Sequence, residues 1–130
     1  MLADLELSRQ EGGAYHGIYD LSQARPVLVG VFDFVLAGFE GVRSHAYISL
    51  LMIAKPYRRG GLGRSVVAWF EEQISHDRQI TAILANVQVN NPDGIRFWRR
   101  LGYRIVAGPK DCPDGTTVWD LRKDLSPNDV

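Results

Sequence analysis

ISLLMIAKPYRRGGLGRS (48–65) holds the change of pattern that decides the fold. Its first residues belong to the run HAYISLLMIA (45–54), whose polar residues come early and whose interior is apolar on both faces. That is the pattern of a central strand. KPYRRGG (55–61) reads as a loop. From Leu62 the period changes: Val66, Val67, Phe70 and Ile74 recur at helical spacing, with Glu71, Glu72 and Gln73 between them. A helix is therefore expected from about Leu62 to near His76. Between strand and helix, Gly60, Gly61 and Gly63 carry no side chains, so backbone N–H groups can face a ligand. The helix start adds a positive dipole end and unpaired donors. Arg58, Arg59 and Arg64 add formal charge and bidentate donors. Such a segment suits a pyrophosphate. It is neither a Walker loop, since no Lys follows the glycines, nor a Rossmann fingerprint, since Gly61-x-Gly63 is followed by Val66 and not Gly.

Toward the N-terminus, PVLVGVFDFVLAG (26–38) is rich in β-formers, with Gly30 as a point of close approach or a bulge. YHGIYDL (15–21) reads as a short strand. Ser22 to Pro26 and Glu40 to Ser44 are turns. The first fourteen residues are weakly patterned and are left open between a short helix and a strand. Toward the C-terminus, ITAILANVQV (80–89) alternates, with Ile83, Ala85, Val87 and Val89 on one face and Leu84, Asn86 and Gln88 on the other. NNPDG breaks that strand, and Pro92 suits a helix start. Ile95, Trp98 and Leu101 then mark a short amphipathic helix, stopped by Gly102. YRIVA (103–107) and TTVWDLR (116–122) are strands joined by the turn-rich GPKDCPDG, and the tail SPNDV is expected to fray. The order is β-β-β-α-β-α-β-β, an α/β or α+β domain with one mixed sheet.

With 130 residues, 45% hydrophobic and 23% charged, the chain has the composition of one ordinary globular domain, here residues 1–130. Cys112 stands alone, which excludes an internal disulfide framework and a zinc site of several thiolates. His16, His45 and His76 are scattered, so no metal is expected. No signal-peptide pattern opens the sequence and no apolar run is long enough to span a membrane, so a cytoplasmic protein without membrane partners is expected. The net charge is zero, but residues 1–54 carry −3, residues 55–104 carry +5 and residues 105–130 carry −2. A local basic zone fits a small anionic ligand better than a nucleic acid, although Arg96, Arg99, Arg100 and Arg104 would be the residues of a nucleic-acid face.

At Arg58-x-x-Gly61-x-Gly63 the sequence resembles the (Gln/Arg)-x-x-Gly-x-(Gly/Ala) signature of the GNAT N-acetyltransferases, including the strand that precedes it. Asn91-Pro-Asp-Gly-Ile-Arg-Phe97-Trp98-Arg-Arg-Leu101-Gly102-Tyr103 is similar to the family's Asn-x-x-Ala-x-x-Phe-Tyr-x-x-Leu-Gly-Phe segment. The resemblance runs from about Tyr15 to Leu125. It implies a GNAT-like mixed, mostly antiparallel sheet flanked by helices, with a shortened N-terminal region. It implies acetyl-CoA as co-substrate. Backbone groups of Leu51, Met52 and Ile53 would pair with the pantetheine arm and polarise the thioester carbonyl. Arg58, Arg59, Gly60, Gly61, Leu62, Gly63 and Arg64 would hold the pyrophosphate. Asn91 would meet the pantetheine or acetyl end, with Phe97 and Trp98 beside the arm and Arg99 and Arg100 toward the phosphates.

The implied reaction is direct attack of a neutral amine on acetyl-CoA, which needs a proton acceptor and a proton donor. Here the sequence departs from the family. The tyrosine that often serves as acid falls at Trp98, whose indole N–H is too weak an acid. The glutamate that some members carry in the central strand falls at Tyr47. Tyr47 and Asp33 are the catalytic candidates, with His45 and Glu40 as further proton acceptors. A wall of the acceptor groove that relatives build from an N-terminal strand and two helices is short in this sequence, so a homodimer is expected. The acceptor is expected to be a small-molecule amine, cationic in view of Asp20, Asp33 and Glu40, before a protein amine. The alternative is a non-catalytic acyl-CoA-binding module.

Overall fold

A computed structural model describes residues 5–9, 16–22 and 24–125. Tyr15, part of the Ser22–Pro26 turn and the SPNDV tail lie outside the described residues. Strands β1 (Leu5–Arg9), β2 (His16–Asp20), β3 (Val27–Val35), β4 (His45–Ile53), β5 (Ala82–Gln88), β6 (Arg104–Asp111) and β7 (Thr117–Asp124) alternate with helices α1 (Leu62–Ser75) and α2 (Pro92–Arg100). The strands hydrogen-bond in the order β1-β2-β3-β4-β5-β7-β6. The β4/β5 pair is parallel, while β1/β2, β2/β3, β5/β7 and β6/β7 are antiparallel. The expected mixed, mostly antiparallel sheet with flanking helices is what the chain forms, and β4 is central in it. The chain divides into two compact units, Met1–Phe34 with Ser49–His76 and Val35–Ile48 with Asp77–Val130.

In the first unit, the open reading of the N-terminal residues resolves to strand β1, which pairs with β2 from Leu5↔Asp20 to Arg9↔His16. Burial then selects the face of α1. Val66, Val67, Phe70 and Ile74, the residues at helical spacing, are all buried, as are Ile18, Val29 and Phe32 of the strands. Aromatic edges lock the layer: Phe70 meets Phe32 at 5.8 Å and Phe34 at 5.2 Å, and Trp69 meets Phe34 at 5.9 Å. Such edge-to-face contacts add about 0.5–1.5 kcal/mol each beyond burial. Gly30 is both things its position suggested. The β2/β3 register slips beside it, between Ile18↔Gly30 and Tyr19↔Leu28. A Cβ there would also lie 2.3 Å from the Met52 carbonyl oxygen, so only glycine lets β3 and β4 approach.

In the second unit, β5 buries Ile83, Ala85 and Val87 on one face, as the alternation requires. The strand is shorter than the apolar run: Ile80 closes a turn on Asp77 and the ladder begins at Ala82. Asn91 caps α2 by accepting from the Gly94 N–H at 2.9 Å. The helix stops as its Gly102 signal says. The Gly102 N–H donates to the Arg99 carbonyl and the Tyr103 N–H to the Trp98 carbonyl, both at 3.0 Å.

GPKDCPDG is not the turn the sequence suggests. Strand β6 runs through Gly108 and Pro109 to Asp111, and only residues 112–116 turn. Gly and Pro break strands because they upset the ladder, but β6 is the last strand of the sheet, where one edge has no ladder to upset. The register slips between Ile105 and Ala107 and again between Ala107 and Lys110 absorb the irregularity. Tyr103, in contrast, lies before the strand, buried in the core.

Candidate active site

The phosphate-type segment lies within the first unit. Strand β4 ends at Ile53, one short turn covers Lys55–Tyr57, and Gly61 takes φ 82° as the residue before α1. That left-handed conformation is natural only for glycine. The preceding Arg59 is also left-handed, at φ 69°, a strained geometry for a side-chain-bearing residue. No side chain caps α1 and no acidic residue occupies its first turn, so the leading N–H groups and the positive end of the dipole have no anionic partner on their own element. Arg58 is anchored: its Nε donates to the Ile53 carbonyl at 2.8 Å, which ties the loop back to the strand end. Leu51 and Ile53 are half-buried and Met52 is 55% exposed. The β4/β5 ladder stops at Ile48↔Ala85, so Ser49–Ile53 keep main-chain groups that this ladder does not use. The unit thus brings Leu51, Met52, Ile53 and the Arg58–Arg64 segment together.

Asp33 also belongs to this unit. Its Oδ2 accepts from the Ser49 hydroxyl at 3.2 Å, and its Oδ1 lies 4.0 Å from His16 Nδ1. The His16 ring stacks on Phe34 at 5.1 Å, and its buried Nδ1 has no hydrogen-bond partner among the described residues. Asp33 therefore has an aligned carboxylate with a histidine beyond ordinary hydrogen-bond range.

Tyr47 belongs to the second unit. Its hydroxyl donates to Asn86 Oδ1, and Asn86 Nδ2 donates to Asp120 Oδ1 at 2.6 Å. Lys110 Nζ lies 3.6 Å from the other Asp120 oxygen. The register explains the chain of contacts. Tyr47 sits opposite Leu84, so Asn86 is its diagonal neighbour on the same face, and Asn86 sits directly opposite Asp120. Phe39 stacks on the Tyr47 ring at 3.8 Å. Burial first, then electrostatic repulsion involving Asp120, Glu40 and Cys112, pushes the Tyr47 hydroxyl above its ordinary titration range. Asn86 and Asp120 escaped the sequence reading. The alternation placed Asn86, a polar residue, beside Leu84 on the face opposite Ile83, Ala85 and Val87, which was a usable signal. The Asp120 partnership depends on the β5/β7 register, which no local pattern carries.

Asn91, Phe97 and Trp98 are in the second unit as well. The Asn91 oxygen is engaged as the cap of α2. Phe97 is half-buried, while Trp98 is only 7% exposed and meets Tyr103 edge-on at 4.9 Å. Arg99 and Arg100 are exposed in the last turn of α2, where they suit the negative end of the dipole. Among the described residues no three His, Cys, Asp or Glu side chains cluster as metal ligands, and no helix is long and apolar enough to cross a membrane.

A family model described as Acetyltransferase (GNAT) family matches residues 4–103. The chain belongs to this family. Among curated proteins, the Probable N-acetyltransferase san of Drosophila melanogaster is 33% identical over 60 residues. That match covers 46% of this chain and spans about a third, 33%, of the relative. Among solved structures, Ard1 from Thermoplasma volcanium superposes with a TM-score of 0.67 at 17% identity, over 87% of this chain and 71% of that one. Arabidopsis thaliana Naa50 in complex with the bisubstrate analogue CoA-Ac-MVNAL gives 0.65 at 19% identity, over 85% of this chain and 72% of that one. At these identities the structures establish a shared GNAT fold.

Proposed function

We propose that this GNAT chain is an N-acetyltransferase that moves an acetyl group from acetyl-CoA to a primary amine by direct attack. The observation that carries the reading is the first unit's own construction. The stretch of β4 beyond its ladder with β5 leads through one short turn into an arginine-flanked, uncapped helix N-terminus. A strand edge suits the amide-bearing pantetheine arm, and the helix end suits the pyrophosphate. Main-chain N–H groups of Leu51–Ile53 would stabilise the oxyanion that forms as the amine adds to the thioester carbon. The new C–N bond forms, the C–S bond breaks, the nitrogen loses a proton and the thiolate gains one. Asp33 is the side chain we assign to taking the amine proton, and Tyr47 the one we assign to holding the amine.

We favour a small-molecule amine as acceptor, in a cytoplasmic homodimer that binds no nucleic acid. A polypeptide α-amine is the second reading, supported by the peptide portion of the analogue bound to the Naa50 neighbour. Of the acids that suggested a cationic acceptor, Asp20 is folded back onto Ser22, whose N–H and hydroxyl it accepts at 2.9 and 2.7 Å. Asp33, among the described residues, accepts from Ser49 and lies near His16.

Thermal unfolding with acetyl-CoA, CoA and NADH tests the co-substrate. At ~100-fold excess over the dissociation constant a true ligand adds about 2.7 kcal/mol of stability. Both CoA species should stabilise the protein and NADH should not. Thiol release across a panel of polyamines, aminoglycosides and short peptides then tests the acceptor. Binding without thiol release from any amine would establish a binding module in place of an enzyme.

A further inference from the structure

Resting on the N-acetyltransferase reading, we propose that Asp120, acting through Asn86, fixes which way the Tyr47 hydroxyl points, so that Tyr47 offers the acceptor amine an oxygen lone pair. The argument is one of donor and acceptor inventory. A carboxylate oxygen only accepts, so the group of Asn86 that meets Asp120 at 2.6 Å must be its NH2. That leaves the Asn86 carbonyl toward Tyr47, and an amide carbonyl also only accepts. The Tyr47 proton is therefore committed to Asn86. What remains on the phenol oxygen is acceptor capacity, which an amine N–H can use. An amine held by one N–H has its own lone pair turned in a defined direction, and orientation of that kind is worth large factors in rate.

The surroundings of Tyr47 keep this arrangement neutral. Asp120 on β7, Glu40 in the turn before β4 and Cys112 in the turn after β6 all oppose a phenolate, and Lys110 sits on the far oxygen of Asp120. Tyr47 is thus a positioning acceptor for the amine and not a tyrosinate base.

Asp120→Asn tests the relay, because the isosteric amide can donate to Asn86 and free it to reverse. Tyrosinate absorbance, with a Tyr47→Phe titration subtracted, reads the Tyr47 midpoint without any need for turnover. In Asp120→Asn that midpoint should move down, since a negative neighbour is lost. Turnover with a reactive amine should fall roughly 10- to 100-fold while acetyl-CoA still stabilises the protein. Asp120→Glu keeps an acceptor-only group and should recover most of the turnover. Asn86→Leu, which has no need of Asp120, should lose turnover like Asp120→Asn. The proposal fails if Asp120→Asn leaves midpoint and turnover unchanged, if Asp120→Glu is as impaired as Asp120→Asn, or if Asn86→Leu turns over like wild type. Absence of acetyl-CoA stabilisation in the wild type would instead sink the enzyme reading, and the Tyr47 midpoint would still judge the hydrogen-bond relay.

Discussion

In the segment from Arg58 to Arg64 the groups that can meet a ligand are main-chain donors and guanidiniums, placed by Gly60, Gly61 and Gly63. Around Tyr47 they are side-chain atoms brought from β4, β5 and β7. The first arrangement is local. One left-handed glycine at φ 82° starts a helix, and the donors follow from helix geometry. The second arrangement exists only once Tyr47 stands diagonal to Asn86 and Asn86 opposite Asp120. A site made of backbone depends on a few consecutive residues and on the packing that seats its helix. A site made of side chains depends on register across three strands, and one misplaced strand would dissolve it.

The largest effect should come from breaking the seat of α1. Phe70 is fully buried and meets both Phe32 and Phe34. Phe70→Ala should cost about 3–5 kcal/mol in chemical denaturation, as large aromatic deletions in cores do. A loss below ~1 kcal/mol would mean that the helix keeps its place without this contact, and that the loop owes its geometry to something other than packing.

That dependence explains what the sequence could and could not disclose. Helical spacing of Val66, Val67, Phe70 and Ile74 marked the buried face of α1, because one element's periodicity reports one element's burial. Pro92 and the Gly102 stop likewise bounded α2 to within a residue, since such signals act on adjacent backbone. Gly30 was recognisable as a special position, but its neighbour, the Met52 carbonyl, was not. Gly108 and Pro109 misled for the same reason in reverse: as local signals they break a strand, yet an edge position tolerates them. Asp33 and Tyr47 were named from a resemblance, and their partners Ser49, His16, Asn86 and Asp120 needed the folded register.

Gly61→Val sharpens the comparison with an intermediate effect. A β-branched residue at φ 82° is strained by about 1–2 kcal/mol, and it reshapes the start of α1. Stability should fall by that amount, and the acetyl-CoA-dependent gain should disappear with it. Asp120→Asn, a change in the other region, should leave that gain in place. If Gly61→Val binds acetyl-CoA as well as wild type does, the main-chain donors of this turn are not the phosphate site.

The smallest effect is in alkaline pH, and it belongs to Tyr47 alone of the two regions. The loop works through main-chain N–H groups, which carry no titratable proton. The Tyr47 hydroxyl titrates above its ordinary value of 10.0 in the folded protein, because burial and then Asp120, Glu40 and Cys112 disfavour the phenolate. In the unfolded chain it titrates at the ordinary value. Between those two values the unfolded state loses this proton and the folded state keeps it. The contribution is therefore fully present below about pH 10 and drains away as pH rises toward the folded value. Wild type should show a shallow decline of stability on that alkaline limb, and Tyr47→Phe should flatten it in urea melts taken at successive pH values. Tyr47 is only half-buried, so the slope should be modest, but it should persist in high salt because desolvation is its first cause. An alkaline limb identical in wild type and Tyr47→Phe would mean that the phenol is as well solvated in the fold as in the unfolded chain, and the side-chain-built region would lose the enclosure that sets it apart from the loop.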